Sequence, residues 1–260
     1  RATGPHLDWR MYWFDQHIDP AALARTQRLI REAGRREAEA YTGSEHAYLE
    51  LLARDDVDAA THHWLLGAGM VHGVRLRGGS AEWYRNRSVA ATDGPSPNTN
   101  VGGFAGTTWA MVEAGTPPVE LGYELDSLGV NAFGGTLPNG FSAHPKYDPA
   151  TGELHAMAYH WPDLVDHIQY VVVGSDGRVS KTLDIPMGMT MLHDLALTQT
   201  YALVFDQPCT VDLDVAFSGR FPFRWNPDYG NRVGLLPRDG DADSIIWIDV
   251  PNGYTFHPMN

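Results

Sequence analysis

Residues 168–186 read IQYVVVGSDGRVSKTLDIP, and this stretch sets the expectation for the whole fold. An apolar run ends at Gly174, the tripeptide Ser175-Asp176-Gly177 follows, and a run that alternates apolar and polar residues comes next. Asp-Gly between two hydrophobic runs is a strong short-range signal for a β-hairpin, because both residues tolerate the backbone angles of a tight turn. The stretch therefore predicts two antiparallel strands.

Similar stretches recur on both sides of this hairpin. They are GMVHGVRLRGG (69–79), AEWYRNRSVAA (81–91), TTWAMVEAG (107–115), ELHAMAYHW (153–161), LALTQTYALVFD (195–206) and DSIIWIDVPNGYTFH (243–257). Strands about every dozen residues, with turns and no helices between them, predict an all-β sandwich, barrel or propeller. We interpret SGRFPFRWNPDYGNRVGLLPRDGD (218–241), rich in Pro, Gly and aromatic residues, as a long irregular excursion of the kind that is often functional.

The first 56 residues differ in character, being rich in Ala, Leu, Arg and Glu. Asp19 and Pro20 are suited to the N-cap and first position of a helix, and apolar residues then recur at helical spacing. Ser44 is placed to cap a second helix. The sequence thus predicts two regions, a helical N-terminal segment over residues 1–56 and a β region over residues 57–260.

Net charge, cysteine content and the lengths of apolar runs exclude some classes of binding partner and location. The 260-residue chain has a formal net charge of −13 and 43% hydrophobic residues, so it is globular material whose charge repels nucleic acid and anionic membranes. Cys209 is the single cysteine, which excludes an intrachain disulfide and favours a reducing compartment. We find no signal peptide and no apolar run near the roughly 18 residues of a spanning helix, so a cytoplasmic location is expected. Because the chain starts at Arg1 rather than Met, we interpret it as a fragment.

Three of the twelve histidines share a setting near the end of a turn and the start of a strand: His144 in FSAHPKYDP, His193 in TMLHDLALT and His257 in YTFHPMN. They lie 49 and 64 residues apart along the chain, comparable to a propeller blade of about 40–50 residues plus insertions. If each blade begins at a central axis, one histidine per blade converges there. Neutral imidazole suits iron, zinc and copper. On spacing alone, surface or core histidines remain the favoured alternative.

At these residues the chain resembles the carotenoid oxygenase family, which includes apocarotenoid and lignostilbene cleavage dioxygenases. The matching stretches run over residues 57–260: HHWLLGAGMVHGVRL, AEWYRNRSV, NTNVGGFAG, WAMVEAG, GTLPNGFSAHPKYDPATGEL, IQYVVVGSDGRV, MLHDLALT, RVGLLPR and YTFHPMN. The resemblance implies a partial seven-bladed β-propeller with Fe(II) on its axis, held by four histidines. Three of these correspond to His144, His193 and His257. It also implies that Glu113 orients a ligand ring, and we pair Glu113 with His193; the alternative is a solvated strand-end carboxylate.

The resemblance further implies a non-haem Fe(II)-dependent dioxygenase that cleaves a C=C bond of a carotenoid-like or apocarotenoid-like polyene with O2, giving two carbonyl products. No organic cofactor is needed. Such a lipophilic substrate requires an apolar tunnel, for which Phe104, Trp109, Phe133 and the segment Phe221–Trp225 are candidate walls. Plain core packing is the alternative for each of them. Uptake of an oily substrate is compatible with a peripheral membrane contact.

Several positions depart from the family pattern. Ala68 stands where the family usually has an acidic residue, and the helical segment replaces the usual opening of the propeller. The fourth histidine and the other orienting glutamates would lie beyond Asn260. Val112 occupies the position where lignostilbene-type members commonly carry a lysine that recognises the phenol group of the substrate. The absence of this lysine favours a polyene substrate over a 4-hydroxystilbene. Stilbene cleavage, a catalytically inactive propeller fragment acting as a binding or scaffold module, and an iron-dependent isomerase remain the alternatives.

Overall fold

The hairpin at residues 168–186 is present in the computed structural model, which describes residues 67–89, 96–159, 165–218 and 220–258. Strand β9 (His167–Val173) pairs antiparallel with β10 (Val179–Pro186), starting from Val173 opposite Val179. Gly177 has a φ of 77°, which a side chain disfavours, so the glycine of the predicted turn is needed there. The predicted hairpin is confirmed. The predicted helices over residues 1–56 lie outside the described residues.

The chain divides into two units, and the described part of the first is Gly73–Arg85. This part belongs to a two-stranded sheet of β1 (Met70–Arg77) and β2 (Ser80–Ser88), joined by a turn at two glycines. The Nε atoms of Arg75 and Arg77 lie 2.8 and 3.0 Å from the carboxylate of Glu82. The hairpin is thus closed by an ion-paired cross-strand contact.

The described residues of the second unit form three four-stranded antiparallel sheets, each with its strands in chain order except for one insertion. The first sheet comprises β3 (Asn100–Phe104), β4 (Thr107–Met111), β5 (Val119–Leu121) and β6 (Ser127–Val130). The second comprises β7 (Lys146–Asp148), β8 (Glu153–Ala158), β9 and β10. The third comprises β11 (Ala196–Leu197), β12 (Tyr201–Asp206), β15 (Arg232–Pro237) and β16 (Ile246–Asp249).

An insertion separates β12 from β15 in the third sheet. It holds the small sheet of β13 (Cys209–Val211) and β14 (Phe223–Trp225), with helix α1 (Leu213–Phe217) between them. The predicted irregular excursion over residues 218–241 is therefore wrong in part, since β14 and β15 lie within it. Pairing of β15 with β12 and β16 overrides the local Pro and Gly signals. A 3₁₀ turn at Ala242–Ser244 precedes β16.

Hydrophobic cores lie between consecutive sheets. Side chains of β4, β8 and β9 form one cluster, in which Phe133 and Phe141 are almost fully buried. Side chains of β8, β9, β10, β12 and β15 form another, which includes Tyr159 and Tyr170. Strand β9 is buried along nearly its whole length because both of its faces are covered. The described residues are thus nearly all-β, with consecutive four-stranded sheets packed face to face.

Among the residues that the structure describes, no helix is long and apolar enough to cross a membrane.

Candidate metal centre

The three predicted histidines lie in the loops that join the sheets. His144 comes two residues before β7, and His193 comes three residues before β11. His257 follows β16 within the irregular segment 250–258. Each histidine therefore lies in a loop that leads into or out of a sheet. The backbone of such a loop is not held by the hydrogen bonds of the sheet, so other contacts determine where the side chain points.

These loops bring the three imidazole rings together. The ring centroids lie 4.4 Å apart for His144 and His193, and 4.8 Å apart for His257 with each of the other two. One candidate ligand atom from each ring lies within 4.8 Å of the others. His193 is buried, His144 half-buried and His257 exposed. Residues that are 49 and 64 positions apart in sequence thus form one cluster.

The spacing of two ring nitrogens fits a shared ion. The Nε2 atoms of His193 and His257 lie 3.0 Å apart. Two metal–imidazole bonds of about 2.1 Å that meet at a right angle would place their nitrogens about 3.0 Å apart. Three imidazole donors without a thiolate suit iron, zinc or copper. The cluster could therefore hold a metal ion.

The carboxylate of Glu113 lies beside two of the three imidazole rings. Glu113 comes two residues after β4, and its Oε1 lies 3.3 Å from His144 Nε2 while its Oε2 lies 3.5 Å from His193 Nδ1. The sequence paired Glu113 with His193 alone, whereas the structure places it beside both rings. Its Oε1 atom and His193 Nδ1 are buried without a hydrogen bond of good geometry to any described residue. A bound cation would draw the ring N–H groups and this carboxylate together.

Tyr159 fixes the position of Glu113. Its hydroxyl donates a hydrogen bond of 2.5 Å to Glu113 Oε2. Burial, followed by the charge of Glu113, raises the pKa of Tyr159 well above its ordinary value, so the hydroxyl remains a donor. A buried tyrosine that donates to a carboxylate supplies a charge-assisted bond. Sequence reasoning did not find Tyr159, because 46 residues separate it from Glu113.

The turn after Glu113 lies close against the loop before His144. Ala114 and Gly115 have φ angles of 63° and 80°, a left-handed conformation. A β-carbon on Gly140 would lie only 1.6 Å from the carbonyl oxygen of Gly115. Glycine is required at position 140 because the two backbones touch there. This close approach brings Glu113 within reach of His144.

An ion pair joins the first two ligand loops. Lys146 Nζ lies 2.8 Å from each carboxylate oxygen of Asp194, and the Asp194 side chain is 2% exposed. Lys146 is two residues after His144, and Asp194 directly follows His193. The sequence did not predict this pair, because 48 residues separate its two members.

The aromatic residues predicted as tunnel walls lie mainly in the core. Trp109 and Phe133 are 4% and 1% exposed, with ring centroids 4.8 Å apart, and Phe104 packs beside the same cluster. These contacts are core contacts, and the role of the three residues in substrate binding stays a prediction. Phe256, which sequence reasoning missed, places its ring 4.5 Å from that of His193.

Comparison with known proteins settles the family. The family model described as retinal pigment epithelial membrane protein matches residues 91–260. The chain belongs to this family, the carotenoid oxygenases. The carotenoid cleavage oxygenase of Mycobacterium tuberculosis is 38% identical over 265 residues, covering 79% of this chain and 53% of that protein. A carotenoid 9,10(9′,10′)-cleavage dioxygenase of Arabidopsis thaliana is 28% identical over 252 residues, covering 77% of this chain and 46% of that protein.

Solved structures agree with this assignment. The lignostilbene dioxygenase of Pseudomonas brassicacearum matches with a TM-score of 0.67 and 28% identity, covering 74% of this chain and 46% of that one. A cobalt-substituted apocarotenoid oxygenase of Synechocystis matches with a TM-score of 0.61 and 22% identity, covering 75% and 50%, which shows a shared fold. This carotenoid oxygenase chain spans about half the length of the curated relatives it matches.

Proposed function

We propose that this chain carries the iron-binding part of a non-haem Fe(II) dioxygenase, which cleaves a C=C bond of a carotenoid-like or apocarotenoid-like polyene with O2. The observation that carries the proposal is the meeting of His144, His193 and His257, with Glu113 beside two of the rings. The proposal includes a seven-bladed propeller around this centre. Three consecutive four-stranded antiparallel sheets support it, since each has the strand pattern of a propeller blade.

The residues of the site have separable roles in this reaction. The three imidazoles would hold Fe(II) through neutral nitrogens, which requires that none of them is protonated. Glu113 lies 3.3 Å from His144 Nε2 and 3.5 Å from His193 Nδ1, where hydrogen bonds from both ring N–H groups in the metal-bound state would fix the tautomer and the direction of each ring. Tyr159 donates to Glu113 and keeps its carboxylate directed at the rings. When bound, Fe(II) would supply a centre that activates O2 beside an electron-rich alkene.

The balance of the reaction follows from its reactants. Both atoms of O2 are incorporated, one at each carbon of the cleaved double bond, so two carbonyl products form and no external reductant is consumed. The protein's part is to bind the polyene, exclude water and hold the ligand rings. Phe256 at 4.5 Å from His193 presents an apolar surface beside the centre, suited to a polyene.

Val112 bears on the choice of substrate. It is 6% exposed and precedes Glu113, so it presents no charged group that could read a phenol. This supports a polyene substrate. Similarity to an isoeugenol monooxygenase of Pseudomonas nitroreducens, 31% identical over 195 residues and covering 68% of this chain and 39% of that protein, favours a phenolic alkene as second candidate. Incubation with an apocarotenal and with a 4-hydroxystilbene in parallel separates the two substrates.

Exposed apolar side chains on α1 and the neighbouring small sheet support peripheral membrane contact for substrate uptake. Leu213 and Phe217 on α1 are 52% and 86% exposed, and Trp225 on the adjoining small sheet is 52% exposed. Because the net charge is −13, a zwitterionic lipid surface is a better partner than an anionic one. Flotation with phosphatidylcholine vesicles tests this, and we expect Phe217→Glu to abolish co-flotation. Equal flotation of the variant contradicts this contact.

Metal analysis and product analysis together test the proposed activity. We expect the chain to bind about one iron, and His193→Ala to lose both iron and aldehyde release under O2. The matched control is His167→Ala, since His167 is a partly exposed histidine at the start of β9 and contacts the preceding Asp166. Equal iron content in wild type and His193→Ala contradicts the assigned ligands. Iron binding without aldehyde favours an isomerase, and absence of iron favours a binding module.

A further inference from the structure

His257 is the ligand with the least regular support. It lies in the irregular segment 250–258 and is exposed, whereas His144 and His193 come two and three residues before a strand. The 3.0 Å between the Nε2 atoms of His257 and His193 fits a hydrogen bond between two neutral imidazoles, one donating and one accepting. That bond would be lost if both nitrogens bound a metal, so the position of His257 would then depend on the segment that carries it.

Two side-chain hydrogen bonds hold the residues of the segment that come just before His257. Gln207 Oε1 accepts from the backbone N–H of Thr255 at 3.0 Å, two residues before the ligand. The hydroxyl of Tyr254 donates to the carbonyl oxygen of Met191 at 2.9 Å. Met191 lies two residues before His193, so this second bond ties one ligand segment to the other.

Gln207 and Met191, the residues to which the segment is bonded, lie in or beside the third sheet. Gln207 is 4% exposed and directly follows β12. Met191 is 5% exposed, and its backbone N–H donates to the carbonyl oxygen of Cys209 at 2.8 Å. Gln207 and Met191 are thus buried residues, and Met191 is also held by a contact that does not involve the segment carrying His257.

We propose that Gln207 and Tyr254 are positioning residues, which set the ring of His257 against His193 so that the two can share a metal ion. This inference rests on the proposed function, because the effect it describes is on the metal centre. A residue that merely satisfies a buried polar group would change the stability of the fold and leave metal affinity unchanged. A positioning residue changes metal affinity, because loosened support for a ligand typically weakens binding about 10- to 100-fold.

The variants separate these two roles. Gln207→Met removes the acceptor and keeps the length of the side chain, and Gln207→Glu keeps an acceptor oxygen at the same place. Tyr254→Phe removes only the hydroxyl and is the milder second variant should Gln207→Met fold poorly. Asn252→Ala is the matched control, since Asn252 is exposed and donates to the carbonyl oxygen of Pro227 from the same segment.

The readout is a Co(II) titration of the metal-free chain, with urea unfolding of each metal-free variant measured alongside. We expect Gln207→Met to weaken Co(II) binding about 10- to 100-fold and Tyr254→Phe about 2- to 10-fold, as for the loss of one hydrogen bond. Gln207→Glu should bind better than Gln207→Met, and Asn252→Ala should bind as wild type does. The Co(II) visible spectrum of Gln207→Met should also change, because a poorly placed ring alters the coordination.

Two results overturn the inference in distinguishable ways. If wild type binds Co(II) and both Gln207→Met and Tyr254→Phe bind it equally well, the positioning role is wrong and the metal centre stands. If wild type binds no Co(II), the proposed metal centre is wrong and the positioning role falls with it. Equal loss of affinity in Asn252→Ala would also contradict the role, because it would show a general effect of loosening the segment.

Discussion

Arg238 joins the second and third sheets, and its replacement by Met gives a sharp test of how the sheets are held together. The residue directly follows β15, and its Nη2 atom lies 2.6 Å from Asp148 Oδ2 and 3.4 Å from Glu153 Oε2 of the second sheet. The same atom lies 3.2 Å from Nε2 of the buried His155. Methionine keeps most of the apolar length of the side chain and removes the charge and every donor.

The expected cost follows from the burial of the pair. The side chains of Arg238 and Asp148 are 17% and 10% exposed, and removing one partner of a buried pair costs roughly 3–5 kcal/mol. Asp148 keeps the backbone N–H of Ala150 at 2.8 Å, which is also the largest cause of its lowered pKa. The lower end, about 3 kcal/mol, is therefore expected for the free energy of unfolding. At roughly 2–4 °C per kcal/mol for a chain of this size, the melting temperature falls by about 6–12 °C.

Urea unfolding at neutral pH, followed by far-ultraviolet circular dichroism, measures this loss. Arg224→Met is the matched control, because Arg224 Nε lies 3.1 Å from Asp212 Oδ2 but its side chain is 59% exposed. An exposed pair contributes about 0–1 kcal/mol, so the control should change little. If Arg238→Met loses less than about 1 kcal/mol, or no more than the control, then the contact between these sheets depends on apolar packing alone.

Three further predictions address other contacts. Gly140→Ala should destabilise the fold by about 3 kcal/mol or more, because its β-carbon would lie 1.6 Å from the carbonyl oxygen of Gly115; a melting temperature equal to that of wild type contradicts this. Tyr159→Phe should lose about 1.5–3 kcal/mol, since it removes a charge-assisted bond to Glu113, and calorimetric metal titration should show weaker binding; unchanged values refute the contact. Burial, followed by the charge of Arg238, lowers the pKa of His155 to about 4, so the unfolded chain takes up this proton first and stability should fall by about 2–3 kcal/mol from pH 7 to pH 4. His155→Gln should flatten that part of the pH profile, and an unchanged profile would show that other groups cause it.

Local sequence patterns predicted those strands in which the burial of one face or of both faces determines the order of apolar and polar residues. The turn at Ser175–Gly177 and the flanking runs gave β9 and β10 directly, because the turn requires residues of special backbone freedom. Strand β15 was missed because its neighbours are rich in Pro and Gly, and its identity depends on pairing with β12 and β16. Pairing over such distances leaves no mark on the local sequence.

The candidate site, like the fold, was predicted from the sequence only in part. The setting of the three histidines, together with the family resemblance, picked out the residues that meet in space. The partners of Glu113 were predicted incompletely, since its position between His144 and His193 depends on the close approach of Gly140 and Gly115. A backbone contact of this kind can be understood once the loops are placed, but neither loop predicts it alone.

The ion pair of Lys146 and Asp194 connects the loop of His144 to the loop of His193. A buried ion pair contributes little net stability, because desolvation offsets most of its attraction. It does specify geometry, since Lys146 Nζ at 2.8 Å from both oxygens of Asp194 leaves the two loops few alternative arrangements. His144 and His193 lie within two residues of these partners, so the pair restricts how far apart the two rings can lie. If the histidines bind a metal as proposed, loops restrained in this way would lose less entropy on binding, which would favour affinity for the metal.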